Sequence, residues 1–168
     1  MNNIILIGMM GSGKSTLSHL ICDKIGYDFI DTDSIIESNE AMSITDIFSS
    51  KGEAYFRSLE FDLLNSLEVS SAVISTGGGM ILSSANREIL KSKGTVFYLS
   101  GSVETLCKRL SNQTSNRPLL QTNALKKQLE DLLRKRSDLY LDACHHVISI
   151  DNKSIDTILS EIYAILSE

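Results

Sequence analysis

A chain of 168 residues with a formal net charge of −5 suits one domain around one core, and its acidic balance speaks against general nucleic-acid binding, which needs basic surface. No apolar run approaches the roughly 20 residues of a membrane span, and the apolar N-terminal stretch is too short for a signal peptide. Cys22, Cys107 and Cys144 lie far apart with no paired spacing, which excludes a zinc set or disulfide framework and predicts free thiols in a reducing cytoplasm.

The first predicted element is a buried strand over Ile4–Ile7. It runs into Gly8-Met9-Met10-Gly11-Ser12-Gly13-Lys14-Ser15, the Gly-x-x-x-x-Gly-Lys-Ser spacing of a phosphate-binding loop. Glycines let successive backbone N–H groups approach phosphate oxygens at a helix start, where the helix dipole favours negative charge. Lys14 would reach the β- and γ-phosphates, and the Ser15 hydroxyl would ligate Mg²⁺. Leu17, Leu20, Ile21 and Ile25 then recur at helical spacing up to Gly26, a stop signal.

A second strand is predicted over Tyr27–Asp31, ending in Asp31-Thr32-Asp33. A helical stretch from Ser34 to about Leu67 follows, interrupted near Lys51-Gly52, and reads as a substrate-holding insertion over 34–67. Strands over Ala72–Thr76, Thr95–Leu99 and His146–Ile150 complete the set. Between the last two, Ser111–Pro118 is polar without an apolar anchor, as active-site lids are, and a lid is expected over about 111–122. The last segment puts Ile155, Ile158, Leu159, Ile162 and Leu166 on one helical face. Short apolar strands alternating with amphipathic helices predict an α/β fold with a mainly parallel sheet covered on both faces.

In such sheets ligands bind beyond the carboxyl ends of the strands, so the phosphate loop, Asp31–Asp33 and Gly77-Gly78-Gly79 should open onto one edge. One carboxylate of Asp31 and Asp33 could face magnesium through water, and the other a substrate hydroxyl whose proton it could accept. Alternatively, Asp33 caps a helix beginning near Ser34. The three glycines offer backbone N–H groups without side-chain obstruction. Arg57 has Glu53 four residues before it and Glu60 three after, close enough to orient its guanidinium or to form an ordinary surface pair. Arg117 precedes the single proline on the polar run, where a lid arginine could reach transferring phosphate oxygens. Arg134-Lys135-Arg136 reads as a solvated face with at most one member turned inward. His19, His145 and His146 sit in no motif.

Taken together, these motifs resemble the shikimate kinase family. The matching elements are Gly8–Thr16, Asp31-Thr32-Asp33, Gly52-Glu53 with Phe56-Arg57 and Glu60, Gly77-Gly78-Gly79, Arg117-Pro118-Leu119-Leu120, and Arg136 with Leu139-Tyr140. They cover nearly the whole chain. The resemblance implies a single three-layer P-loop kinase domain over 1–168, its five-stranded parallel sheet in the order 2-3-1-4-5. It implies transfer of the ATP γ-phosphoryl group to the 3-hydroxyl of shikimate, in a cytoplasmic monomer that uses Mg²⁺ and binds no nucleic acid or membrane.

By motif position, Asp33, Arg57, Gly78 and Arg136 would hold shikimate. Gly11, Ser12, Gly13, Lys14, Ser15 and Thr16 would hold ATP, with Arg117 as the lid arginine and Arg109, from Leu106–Leu110, against adenine. Lys14, Asp33 and Arg117 would carry the catalysis. Ser15 would ligate Mg²⁺ and Asp31 would act on it through water. Two arginines on one carboxylate give the planar, charge-assisted recognition that lysine does not. Ser75-Thr76 stand where many phosphate-loop proteins carry a magnesium aspartate, a departure that fits this family. Two other readings compete: a gluconate kinase on the same scaffold, and a nucleotide-dependent switch. The switch is disfavoured because Asn152-Lys153-Ser154-Ile155 lacks the aspartate of a guanine-reading element.

Overall fold

The structure, a computed structural model, describes residues 3–113 and 119–167. Five strands form one sheet: β1 (Asn3–Gly8), β2 (Asp28–Asp31), β3 (Ala72–Ser75), β4 (Gly94–Ser100) and β5 (His146–Ser149). All paired neighbours are parallel and the order is β2-β3-β1-β4-β5, as the resemblance implied. β1 is therefore central and buried at every position, which is why its apolar residues run without alternation. Ile4–Ile7, Val73, Ile74 and Val96–Leu99 form the middle of the main core, each side chain contributing about 1.5–3 kcal/mol by leaving water.

Helices cover the sheet. α1 (Lys14–Ile25) leaves β1 and ends on Gly26, whose φ of 72° closes a left-handed cap. Its buried stripe is Leu17, Ser18 and Ile21; Leu20 and Ile25, expected inside, are exposed because the helix turns them away from the sheet. The insertion is three helices, not one interrupted stretch: α2 (Thr32–Glu40), α3 (Ile44–Lys51) and α4 (Glu53–Ser66). Ala41 in the left-handed region closes α2, and Ser43 caps α3, a break that the helical periodicity masks. This unit has its own small core of Ile36, Ile47 and Phe56, flanked by Ile44, Phe48, Leu59 and Leu63.

A 3-10 turn (Met80–Leu82) and α5 (Ser84–Lys93) lead to β4. α6 (Val103–Gln113) and α7 (Leu119–Ala143) flank the expected lid; α6 takes Ser111–Gln113 as its last turn, and residues 114–118, Arg117 among them, lie outside the described residues. The last helix, α8 (Ile155–Leu166), packs through Ile158 and Ile162. Ile155 and Leu166, predicted on that face, are exposed, and Ile165 packs on the core in place of Leu166. No helix among the described residues is long and apolar enough to cross a membrane.

Candidate active site

The carboxyl ends of β1, β2 and β3 open onto one cleft of about 520 Å³, within the usual size of small-molecule sites. The loop after β1 forms its floor. Gly13 caps α1 at φ 92°, ψ 17°, a conformation costly for any residue with a Cβ. Lys14 Nζ donates to the carbonyls of Gly8 at 2.9 Å and Met9 at 3.1 Å, which lays the ammonium along the loop. Burial lowers its pKa to about 8, against the attraction of Asp33 and Asp31. Ser15 and Thr16, one step along α1, also line the cleft.

The two aspartates divide their work differently from the capping alternative. Asp31, not Asp33, caps α2: its Oδ1 accepts from Ser34 N at 3.0 Å. A residue in the first helical turn cannot serve as the N-cap, so Asp33 keeps its carboxylate for the cleft. Its Oδ1 is buried without a hydrogen-bond partner among the described residues. Burial, then the neighbouring Asp31 charge, raises the Asp33 pKa above the ordinary aspartate value; Lys14 and Arg57 oppose the shift.

The triple glycine exists for close approach of side chains. A Cβ at Gly77 would fall on Asp33 Oδ1, and one at Gly79 would lie 2.6 Å from both terminal nitrogens of Arg57. Thr32 Oγ1 fixes the loop by accepting from Gly77 N at 3.3 Å. Without side chains here, the carboxylate and the guanidinium lie directly against backbone.

Arg57 is no ordinary surface pair. Its Nη1 donates to Glu60 Oε2 at 2.7 Å, and Nη2 to Glu53 Oε1 at 3.0 Å. Glu60 is 1% exposed, Arg57 only 23%. Phe56 and Phe48 lie under the guanidinium, 5.3 and 5.8 Å from ring centre to its carbon. Burial raises the Glu60 pKa, while Arg57 pulls it down.

Across the cleft, α7 turns one of its three consecutive basic residues inward: Arg134 and Lys135 are exposed, Arg136 is half-buried. Arg136 Nη1 donates to Gly78 O at 3.3 Å, and Tyr140, one turn on, donates its hydroxyl to the same carbonyl at 2.5 Å. Lys14, Asp33, Arg57, Gly78 and Arg136 thus border a single cavity.

A smaller pocket of about 300 Å³ adjoins the phosphate loop and shares Gly11, Gly13 and Thr16 with the cleft. Arg109 forms one wall, with Ile155 and Asn112. Arg109 Nη1 donates to Ser12 O at 3.0 Å, whereas Lys108 is exposed. Ser12 is fully buried within the loop. Asp151, in the turn after β5, accepts from Ser102 N at 3.0 Å and Ser102 Oγ at 3.0 Å, tying that turn to the start of α6.

Sequence reasoning missed Phe48, and it names Tyr140 only as part of the Arg136 motif, with no role of its own. Tyr140 stands four residues after Arg136, on the same helical face, which is the one signal that could have found it. Hard oxygen donors, Ser15 and Asp31, border the cleft together, and among the described residues no group of three or more His, Cys, Asp or Glu forms a cation cage. That donor set suits Mg²⁺ shared between one or two protein oxygens, water and phosphates.

Comparison with known proteins agrees with this geometry. The shikimate kinase family model matches residues 10–167. A shikimate kinase from Persephonella marina is 42% identical over 163 residues, covering 96% of this chain and 97% of its own. One from Thermodesulfovibrio yellowstonii is 42% identical over 141 residues, covering 83% and 81%. The structure superposes on a shikimate kinase from Acinetobacter baumannii, solved in complex with shikimate, with a TM-score of 0.87 and 37% identity over 99% of this chain and 94% of that one. With sheet order, motif geometry and similarity over nearly its full length in agreement, the chain belongs to the shikimate kinase family.

Proposed function

We propose that the cleft phosphorylates the 3-hydroxyl of shikimate with ATP, Arg57 and Arg136 gripping the acceptor carboxylate while Lys14 holds the donor phosphates. One observation carries this reading: the two arginines, Asp33 and Lys14 border the same cavity, contributed by α4, α7, α2 and α1. A carboxylate between two guanidinium groups gains charge-assisted, planar hydrogen bonds.

Asp33 binds acceptor hydroxyls and takes the proton as the hydroxyl oxygen bonds to the γ-phosphorus and the bond to the β–γ bridging oxygen breaks, releasing ADP. Its raised pKa makes it a stronger base than an ordinary aspartate. Gly78 contributes backbone to the acceptor side. Gly11, Ser12, Gly13, Lys14, Ser15 and Thr16 cradle the triphosphate, Arg109 flanks the base, and Arg117 on a lid over 111–122 reaches the transferring group. Ser15, and Asp31 through water, would hold Mg²⁺, which neutralises phosphate charge when bound. The insertion over 34–67 serves as the acceptor-binding unit of one domain.

The net charge of −5 speaks against nucleic acid and the three free cysteines fit a reducing cytoplasm; the reading is completed by a monomer that acts on small molecules, away from membranes. Sedimentation at the mass of one chain, 18.5 kDa, checks the monomer. Mixing purified protein with ATP, Mg²⁺ and either shikimate or gluconate, then following ADP, tests the activity. ADP release with shikimate alone is expected; preference for gluconate refutes the assignment.

A further inference from the structure

Tyr140 is the largest fully buried side chain among the described residues, yet its polar end is spent at the cleft. Its ring stacks on Tyr98 of β4, centroids 4.8 Å apart and 10° from parallel. Its hydroxyl donates to Gly78 O at 2.5 Å, and Arg136 Nη1 donates to the same oxygen at 3.3 Å. Burial raises the phenol pKa to about 12, so it remains a donor at every physiological pH.

The bond matters because of what it orients. In a planar trans peptide the carbonyl and the next N–H point opposite ways. With Gly78 O turned toward α7, the Gly79 N–H is turned away from it. No hydrogen bond among the described residues occupies the N–H of Gly78 or Gly79. Glycine has no Cβ to hold a chosen peptide orientation, so a run of three needs an outside clamp. Gly78 is also the junction of the site: a Cβ there would meet Gly8 O of the phosphate loop at 3.5 Å and Tyr140 Oη at 3.6 Å.

We propose that Tyr140 is a positioning residue for the acceptor: its buried hydroxyl pins the Gly78 carbonyl, which fixes the backbone donors of the triple glycine and holds in place the oxygen to which Arg136 donates. This rests on the shikimate reading of the cleft. Removing the hydroxyl leaves Gly78 O with only the longer Arg136 bond, so the loop samples other peptide orientations and acceptor binding weakens. Nucleotide binding does not, since the phosphate loop keeps its own hydrogen bonds.

Calorimetric titration of wild type and Tyr140→Phe with shikimate and with ATP, and KM values for both, test this. The expected result is a rise of about tenfold in Kd and KM for shikimate with the ATP values within twofold. Unchanged shikimate affinity in the variant, or an equal loss for both ligands, overturns the role of Tyr140. If wild type itself fails to bind shikimate, the functional reading falls, and this inference with it. Replacing Tyr140 by 3,5-difluorotyrosine keeps ring and donor while making the phenol more acidic, and it covers the case that the Phe variant does not fold. That protein should match wild type at neutral pH and lose shikimate affinity as the phenol ionises at alkaline pH; a profile parallel to wild type contradicts the proposal.

Discussion

Arg57 Nη1 donates to the buried carboxylate of Glu60 at 2.7 Å, one turn along the same helix, so the guanidinium is aimed before any acceptor arrives. Glu60 Oε1 has no partner among the described residues, which leaves this carboxylate dependent on Arg57. Glu60→Ala should lower stability by about 3 kcal/mol, the low end for breaking a buried pair, because Glu53 still holds Arg57. It should also raise the shikimate KM while sparing that of ATP. Denaturant unfolding and steady-state kinetics of the one variant check both halves.

Asp33 carries a similar tension at the cleft itself. Its folded pKa is raised, chiefly by burial, so the fold prefers the protonated carboxyl. The stability this contributes is present below the unfolded value of about 3.9 and is lost as pH rises through the folded value. Asp33→Asn should therefore melt higher than wild type at pH 7, with the gap closing as pH falls through the carboxyl range. Turnover should drop by about 10²–10⁴, the usual scale for a general base. A Tm difference independent of pH would contradict the argument.

Lys14, with a pKa near 8 in the cleft, is partly neutral above that pH. Triphosphate favours the charged ammonium, so ATP binding at pH 8.5 should take up a proton. Titrations in buffers of different ionisation enthalpy measure the uptake directly, and Lys14→Met should abolish it along with phosphoryl transfer while leaving the fold intact.

Arg136→Ala should weaken shikimate binding by about 2–4 kcal/mol, because it strands a charged partner, and leave ATP binding nearly unchanged. Equal losses for both ligands would count against the two-arginine grip.

On the nucleotide side, Asp151 holds Ser102 at the head of the helix that carries Arg109. Asp151→Ala should raise the KM for ATP severalfold with shikimate KM unchanged. Fluorescent-nucleotide displacement provides an independent reading.

What the sequence makes legible is whatever chemistry is local. The phosphate loop depends on glycines and a lysine within eight residues, and the Arg57 carboxylate pairs on helical spacing, so both can be read without coordinates. Sheet order comes from family resemblance rather than periodicity. The Tyr140–Gly78 bond joins residues 62 apart, and no local rule exposes it. For the cap of α2 the sequence suggests Asp33; the helix starts two residues earlier than Ser34, at Thr32, so Asp31 takes that place. On α8 the apolar period continues at both ends past the area that the sheet covers, and on α1 Leu20, at mid-helix, sits on the flank of the stripe and faces out.

The small cluster of Ile36, Ile47 and Phe56 gives the three-helix insertion cohesion of its own, apart from the residues that hold the sheet together. Phe56 of that cluster lies under the Arg57 guanidinium, so packing changes confined to the insertion reach the presentation of this arginine before they reach the phosphate loop.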